Sequence, residues 1–198
     1  VAKGPGAEGP INEAVSRNHV YVYGTAGNPS QDELASRRAQ AASAADWSAD
    51  RGMMGRLMIF PRYLSDKELR QSDYQHSNLV LFGTSGTNDV IAKLADRLPM
   101  HLKEGTTGYG LLYIYPVNNR YVLISSGLPW WTPPKKQTQQ TGYNFMNSKI
   151  DMLKNFQDFI LFKDSPDNVI IQGRFDNNWK IPAEAAAVLK ASGVIELK

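Results

Sequence analysis

No cysteine occurs among the 198 residues, and histidine appears only three times. The first absence excludes disulfides, thiolate metal sites and cysteine nucleophiles. It does not fix a compartment, because exported and cytosolic proteins both manage without the thiol. His19, His76 and His101 are spread along the chain, and none stands at a metal-ligand spacing. No apolar run approaches the roughly 20 residues that a membrane-spanning helix needs, so no membrane partner is expected. Concentrated charge is missing too. There are 22 basic and 19 acidic residues, and the only adjacent basic pairs are Arg37-Arg38 and Lys135-Lys136. A nucleic-acid-binding face gathers its cations, so that class of partner is not expected either. The acidic pairs Asp32-Glu33 and Asp66…Glu68 read as helix N-terminal charges favoured by the helix dipole rather than as an acid–base couple.

The chain does contain one pattern twice: an apolar strand, Gly-Thr, then a short polar loop feeding a helix. The first copy is Val20-Tyr21-Val22-Tyr23 followed by Gly24, Thr25, Ala26, Gly27 and Asn28. The second is Leu79-Val80-Leu81-Phe82 followed by Gly83, Thr84, Ser85, Gly86, Thr87 and Asn88. Open α/β sheets place their ligand crevices at such strand ends. Glycine there lets the backbone turn sharply or approach a phosphate, and amides at the next helix start favour an anion. Two readings stay open: tight strand-to-helix turns, or one crevice flanked by Gly24, Thr25, Gly27 and Asn28 on one side and Gly83, Thr84, Ser85, Gly86 and Asn88 on the other.

The remaining pattern predicts a three-layer α/β fold whose mostly parallel sheet carries an antiparallel hairpin. Residues 1–12, rich in glycine and proline and starting at Val1 without methionine, read as a linker to an upstream domain; 13–198 read as one domain. Ser30 and Glu33 form a capping box for a helix with an alanine-rich face at Ala41 and Ala45. Arg56–Pro61 reads as a second strand, and Ser65-Asp66-Lys67-Glu68 as a second capping box opening a helix. Asn78–Phe82 is nearly all apolar, as a central parallel strand is. Leu111–Tyr115 and Tyr121–Ser125 are joined by Pro116-Val117-Asn118-Asn119, enough for a hairpin and too few for a crossover helix, so they are expected to pair antiparallel. A helix over 145–156, strands at 159–162, 169–172 and 179–181, and a terminal helix from Pro182 to Gly193 complete the prediction.

Ser85 is the one nucleophile in a strand-end loop worth weighing, but Thr87 stands where a nucleophile elbow carries its second glycine. A serine hydrolase also needs a histidine and a carboxylate behind the serine. Trp130-Trp131, followed by Thr132-Pro133-Pro134 and Lys135-Lys136, is the most unusual surface candidate. Paired indoles at a rim can stack on sugars or anchor a partner, or one ring can cap the sheet while the other stays partly exposed.

Two resemblances follow from these residues. Tyr23–Ser30 with Glu33-Leu34-Ala35 resembles the phosphate loop of flavodoxins, which would imply FMN. It is one residue short, however, and Pro29 removes an amide where a donor is wanted. The likeness therefore speaks for a flavodoxin-like or Rossmann-like fold more than for a cofactor, and none is expected. Lys3-Gly4-Pro5-Gly6, Gly9-Pro10-Ile11, Asn78–Thr84 with Asn88, Ala95-Asp96-Arg97-Leu98-Pro99 and Ile114-Tyr115-Pro116…Arg120-Tyr121-Val122…Ser126-Gly127 together resemble a further region. It lies C-terminal to the hydrolase domain in bacterial exported α/β-hydrolases of the prolyl-oligopeptidase/esterase type. The likeness spans roughly 3–163, although the segment between Tyr115 and Arg120 is shorter here. It implies a non-catalytic accessory domain, a hydrolase domain of the same polypeptide as partner, and a secreted or periplasmic location. The alternatives left by the residues are a phosphate, nucleotide or FMN binder using both loops, and a serine hydrolase through Ser85.

Overall fold

A computed structural model describes residues 2–48, 61–135 and 149–198. Its strands are β1 (His19–Tyr23), β2 (Arg62–Ser65), β3 (Asn78–Phe82), β4 (Met100–Leu102), β5 (Tyr109–Val117), β6 (Arg120–Gly127), β7 (Phe159–Lys163), β8 (Val169–Gly173) and β9 (Ile195–Leu197). The helices are α1 (Gln31–Ser48), α2 (Gln71–His76), α3 (Asp89–Leu94), α4 (Lys149–Met152) and α5 (Ala183–Ala191). Seven strands form one mixed sheet in the order β2-β1-β3-β6-β5-β7-β8, and β4 pairs with β9 in a separate two-stranded ribbon. From β2 to β6 every pairing is parallel; from β6 to β8 every pairing is antiparallel. The fold is a three-layer, Rossmann-like α/β arrangement, as the sequence pattern predicts. Among the described residues no helix is long and apolar enough to cross a membrane.

Burial explains which strands are central. All five residues of β3 are buried, its first residue included. Asn78 is tolerated there because both ends of its amide are used: Nδ2 donates to the Ala14 carbonyl at 3.0 Å, and Oδ1 accepts from the Tyr121 amide at 3.0 Å. Strand alternation then divides the aromatic residues between the two faces. Phe82 stacks between Tyr21 and Trp130, at 6.3 and 6.0 Å. Tyr113 and Tyr115, on the opposite face by register, meet Phe175 edge-on, and Tyr115 also meets Trp179.

The β5–β6 hairpin is longer than its apolar runs suggest. Its ladder continues to Val117 opposite Arg120, leaving Asn118 and Asn119 as a two-residue turn with φ of 50° and 62°. Asparagine tolerates this left-handed backbone, and the turn matches the twist of the strands.

Several local expectations are corrected by tertiary contacts. Ser65–Glu68 opens no helix. It is a turn in which the Ser65 amide donates to Glu68 Oε2 at 2.7 Å, and α2 starts later, with Asp73 accepting from the Arg70 amide at 2.9 Å. At the head of α1, Ser30 Oγ does accept from the Glu33 amide at 3.1 Å, but the Glu33 carboxylate pairs with Arg37 instead of reaching back. Trp179–Ile181 is not a strand: Asp176 Oδ1 accepts from the amides of Asn178 and Lys180 and folds the segment into a turn. The predicted strand over 56–61 and the first part of the helix over 145–156 lie outside the described residues, apart from Pro61. Leu153–Asn155 continues α4 as a 3-10 turn. The short β4 and β9 carry too few residues for a periodic signal.

The segment ahead of β1 is built into the domain. Ile11 is fully buried and its amide donates to the Gln157 carbonyl at 3.0 Å. The Lys3 amide donates to the Asn177 carbonyl at 2.7 Å, while its ammonium meets Asp158 Oδ2 at 2.5 Å. The same oxygen accepts from the Phe175 amide at 2.9 Å. Gly9, at φ 75°, lies against this carboxylate so closely that a Cβ would overlap Asp158 Oδ1.

Two outcomes are expected. Removing one partner of a buried ion pair leaves the other uncompensated, so Asp158→Ala should cost about 3 kcal/mol in urea-unfolding free energy; a cost near zero would show that the pair holds nothing. His19 has its pKa lowered from 6.5 by burial, with the hydrogen bond to the Arg17 carbonyl opposing. The folded state therefore binds this proton less readily than the unfolded chain does. His19's contribution is complete above about pH 6.5 and is lost as pH falls through the lower folded value. Thermal midpoints measured from pH 7.5 to about 5 should fall less steeply for His19→Gln than for the parent chain.

Candidate functional site

β1 and β3 are parallel neighbours with Val22 opposite Leu81, so both Gly-Thr loops leave the same edge of the sheet. They also touch. The Ala26 amide donates to the Thr87 carbonyl at 3.1 Å. Arg37, reaching up from α1, places Nη1 within 2.9 to 3.3 Å of the carbonyls of Gly24, Ala26 and Thr87. Gly24 faces the Thr87 carbonyl so closely that any Cβ would overlap it, and Gly83, at φ 113°, leaves no room beside the Thr87 hydroxyl. Gly27 and Asn28 adopt left-handed backbone at φ 80° and 50° on the exposed rim. The glycines are thus required by one loop packing on the other.

Many of the donors at this edge already have acceptors within the protein. Asp66, at the end of β2, accepts from the Thr25 amide at 3.0 Å, the Thr25 hydroxyl at 2.7 Å and the Asp89 amide at 2.8 Å. Glu104 accepts from the Thr84 hydroxyl at 2.7 Å and the Gly86 amide at 2.9 Å. The Thr84 amide donates to Thr87 Oγ1 at 2.8 Å. Asn88 is fully buried and caps α3, its Oδ1 accepting from the amides of Val90 and Ile91 at 3.0 and 3.4 Å. Its Nδ2 donates to the carbonyls of Val22 and Phe82, one from each strand. Two carboxylates of the protein itself thus accept from backbone amides and hydroxyls of both loops. Asp66 does lie at a helix N-terminus, as its charge suggests, but the helix is α3, which begins 23 residues later.

Ser85 sits half-buried in the second loop, with no histidine bonded to it among the described residues. His19 begins β1 and His76 ends α2 just ahead of β3, so both occupy the opposite edge of the sheet. His101 is on β4, its Nε2 3.1 Å from the Ala95 carbonyl. Ser126, on β6, donates to the Gly83 carbonyl at 2.6 Å and thereby steadies the loop. No group of three or more potential metal ligands occurs among the described residues.

Trp130 and Trp131 divide their roles. Trp130 is 1% exposed, donates its indole N–H to the Lys149 carbonyl at 2.7 Å, and lies flat against Phe82. Trp131 stands at 90° to it, 4.6 Å between centroids, under the Lys149 ammonium at 4.9 Å. Trp130 is a core residue, and only Trp131 presents a partly exposed ring.

Arg37, Asp66 and Glu104 carry this edge, and sequence reasoning missed all three. Arg37 counts as half of a basic pair and Asp66 as a helix-start charge until β2 is set beside β1. No local signal links Glu104 to Gly86 across 18 residues. No protein-family model matches the chain, and no curated protein matches it.

Asp66 is 5% exposed and satisfies three donors, so Asp66→Ala should lower unfolding free energy by about 2–4 kcal/mol. Asp66→Asn, which keeps an acceptor, should cost less. Equal urea midpoints for both variants and the parent would remove Asp66 from its structural role.

Proposed function

We propose that this chain is a non-catalytic accessory domain of an exported α/β-hydrolase, packing on or positioning substrate for the hydrolase domain. The observation carrying the non-catalytic half is the occupancy of the strand-end donors by Asp66, Glu104 and Asn88. A site for a phosphate, a nucleotide or FMN needs those amides free. A hydrolase working through Ser85 needs a base beside it, and the nearest histidine candidates by sequence have other partners or lie at the other edge of the sheet. The hydrolase half rests on the likeness of the segments running from Lys3-Gly4-Pro5-Gly6 to Ser126-Gly127. A periplasmic or secreted location belongs to the same reading.

In such an arrangement the domain contributes surface and placement. The hydrolase domain holds the nucleophile, and this module limits which substrates reach it or stabilises its fold. The reading makes a direct demand on the gene: the frame containing Val1 should encode, upstream, a Gly-x-Ser-x-Gly elbow followed by its carboxylate and histidine. A frame without that domain overturns the proposal. The isolated chain should hydrolyse p-nitrophenyl esters no faster than Ser85→Ala does, and its melting temperature should not move with FMN or ATP. A flavin-dependent rise in melting temperature would favour the nucleotide-site reading instead.

A further inference from the structure

At the edge of the sheet opposite the Gly-Thr loops lies a hollow of about 190 Å³. Three pieces of chain meet around it: Gly6 and Ala7 of the opening strap, Arg17 just ahead of β1, and the tip of the β5–β6 hairpin. The hairpin tip is held from two sides. Arg97 donates to Asn118 Oδ1 at 2.9 Å, and Arg120 Nε donates to the Gln75 carbonyl of α2 at 3.0 Å. Asn78, at the start of β3, adds a wall whose amide is already engaged by Ala14 and Tyr121. These contacts shape the hollow before anything enters it.

Its chemistry is one-sided. Two arginines, Arg17 and Arg120, line it, and no carboxylate does. Among the described residues the Arg17 guanidinium has no hydrogen-bond or salt-bridge partner. Arg120 bonds Gln75 through Nε alone, which leaves both of its terminal nitrogens to face a ligand. Arg17 Nη2 is turned over the strap, 3.3 Å from the point where a Cβ on Gly6 would sit. Its charge is felt at the Tyr121 wall, where it opposes the rise in the phenol pKa that burial and Glu13 cause. Glu13, the carboxylate nearest to Arg17 along the chain, lies outside the lining and accepts from the Tyr121 hydroxyl at 2.8 Å. Two guanidinium groups against that one carboxylate leave the hollow positive.

We propose that this hollow binds a small carboxylate: an acid of a few carbons whose oxygens accept from Arg17 and Arg120 while its body lies on Ala7, Pro116 and Tyr121. Guanidinium meets a carboxylate through paired, planar N–H groups, so two of them in one hollow select that anion. The volume falls below the roughly 300 Å³ at which sites for drug-sized ligands begin, so a nucleotide is too large. The assignment goes beyond the accessory-domain reading and stands without it, because it involves neither the Gly-Thr edge nor a hydrolase partner. Attraction at an open rim is screened by salt, so binding should weaken as ionic strength rises.

The test is a titration of the ¹⁵N-labelled chain with succinate and, separately, with its uncharged diamide, followed by amide chemical shifts. Succinate should give saturable shifts centred on Gly6, Ala7, Arg17 and Asn118–Tyr121, and the diamide should bind more weakly. Arg17→Glu should weaken succinate at least about tenfold, because it sets a like charge against the ligand. Lys67→Gln, at the other edge of the sheet, should leave the affinity unchanged. Arg17→Gln decides the matter if charge reversal costs the chain its fold. The proposal is overturned by shifts that do not saturate or that centre elsewhere, by equal affinity for succinate and the diamide, or by succinate affinity that ignores the Arg17 substitutions.

Discussion

The contact between the two strand-end loops, Gly24 against the Thr87 carbonyl, is the constraint on which this edge of the molecule depends. Parallel pairing of β1 with β3 brings the loops together, and the absence of a Cβ at Gly24 lets their backbones touch. That leaves a set of amides and carbonyls at a part-buried edge, where those shielded from water need partners. Arg37 takes the carbonyls, Asp66 and Glu104 take the donors, and Asn88 ties the ends of both strands to the start of α3. Charged side chains from α1, from the end of β2 and from beyond β4 thus tie the two loops together. The same contacts make this edge a structural joint between β1, β2, β3 and α3.

How far the sequence could be read depended on the range of the interaction. The buried run Asn78–Phe82, the Ser30 cap of α1 and the hairpin at Asn118-Asn119 are set by neighbours a few residues away, and their patterns announce them. Ser65–Glu68 carried a capping-box signature yet forms a turn, because Asp66 is drawn to Thr25 and Asp89 rather than to its own following residues. Trp179–Ile181 has the composition of a strand and was folded away from one by the Asp176 carboxylate. Of the candidate site, the convergence of Gly24, Thr25, Gly83 and Thr84 was legible from the repeated pattern. The identity of the groups filling it was not, because each arrives from a distant element.

The two tryptophans show the same division. Adjacent in sequence, they meet different environments because Trp130 lies flat on Phe82 while Trp131 stands perpendicular to it. A pair read as a surface feature supplies one core ring and one rim ring, and the indole N–H of the inner ring is satisfied by the Lys149 carbonyl. Trp179 is the contrasting case on the opposite face of the sheet. It is as deeply buried as Trp130, but its N–H has no hydrogen-bond partner among the described residues.

Lys3 is bonded to Asp158 and to the backbone of Asn177, so the beginning of the described chain is clasped by residues emerging late in synthesis. On a ribosome, β1, β3 and the β5–β6 hairpin can pair while that clasp is still inside the exit tunnel. The opening strap must wait, solvated, until β7 and the Asp176 turn have been delivered. Its glycines and prolines suit that interval, since a segment poor in apolar side chains offers little for a half-made neighbour to stick to.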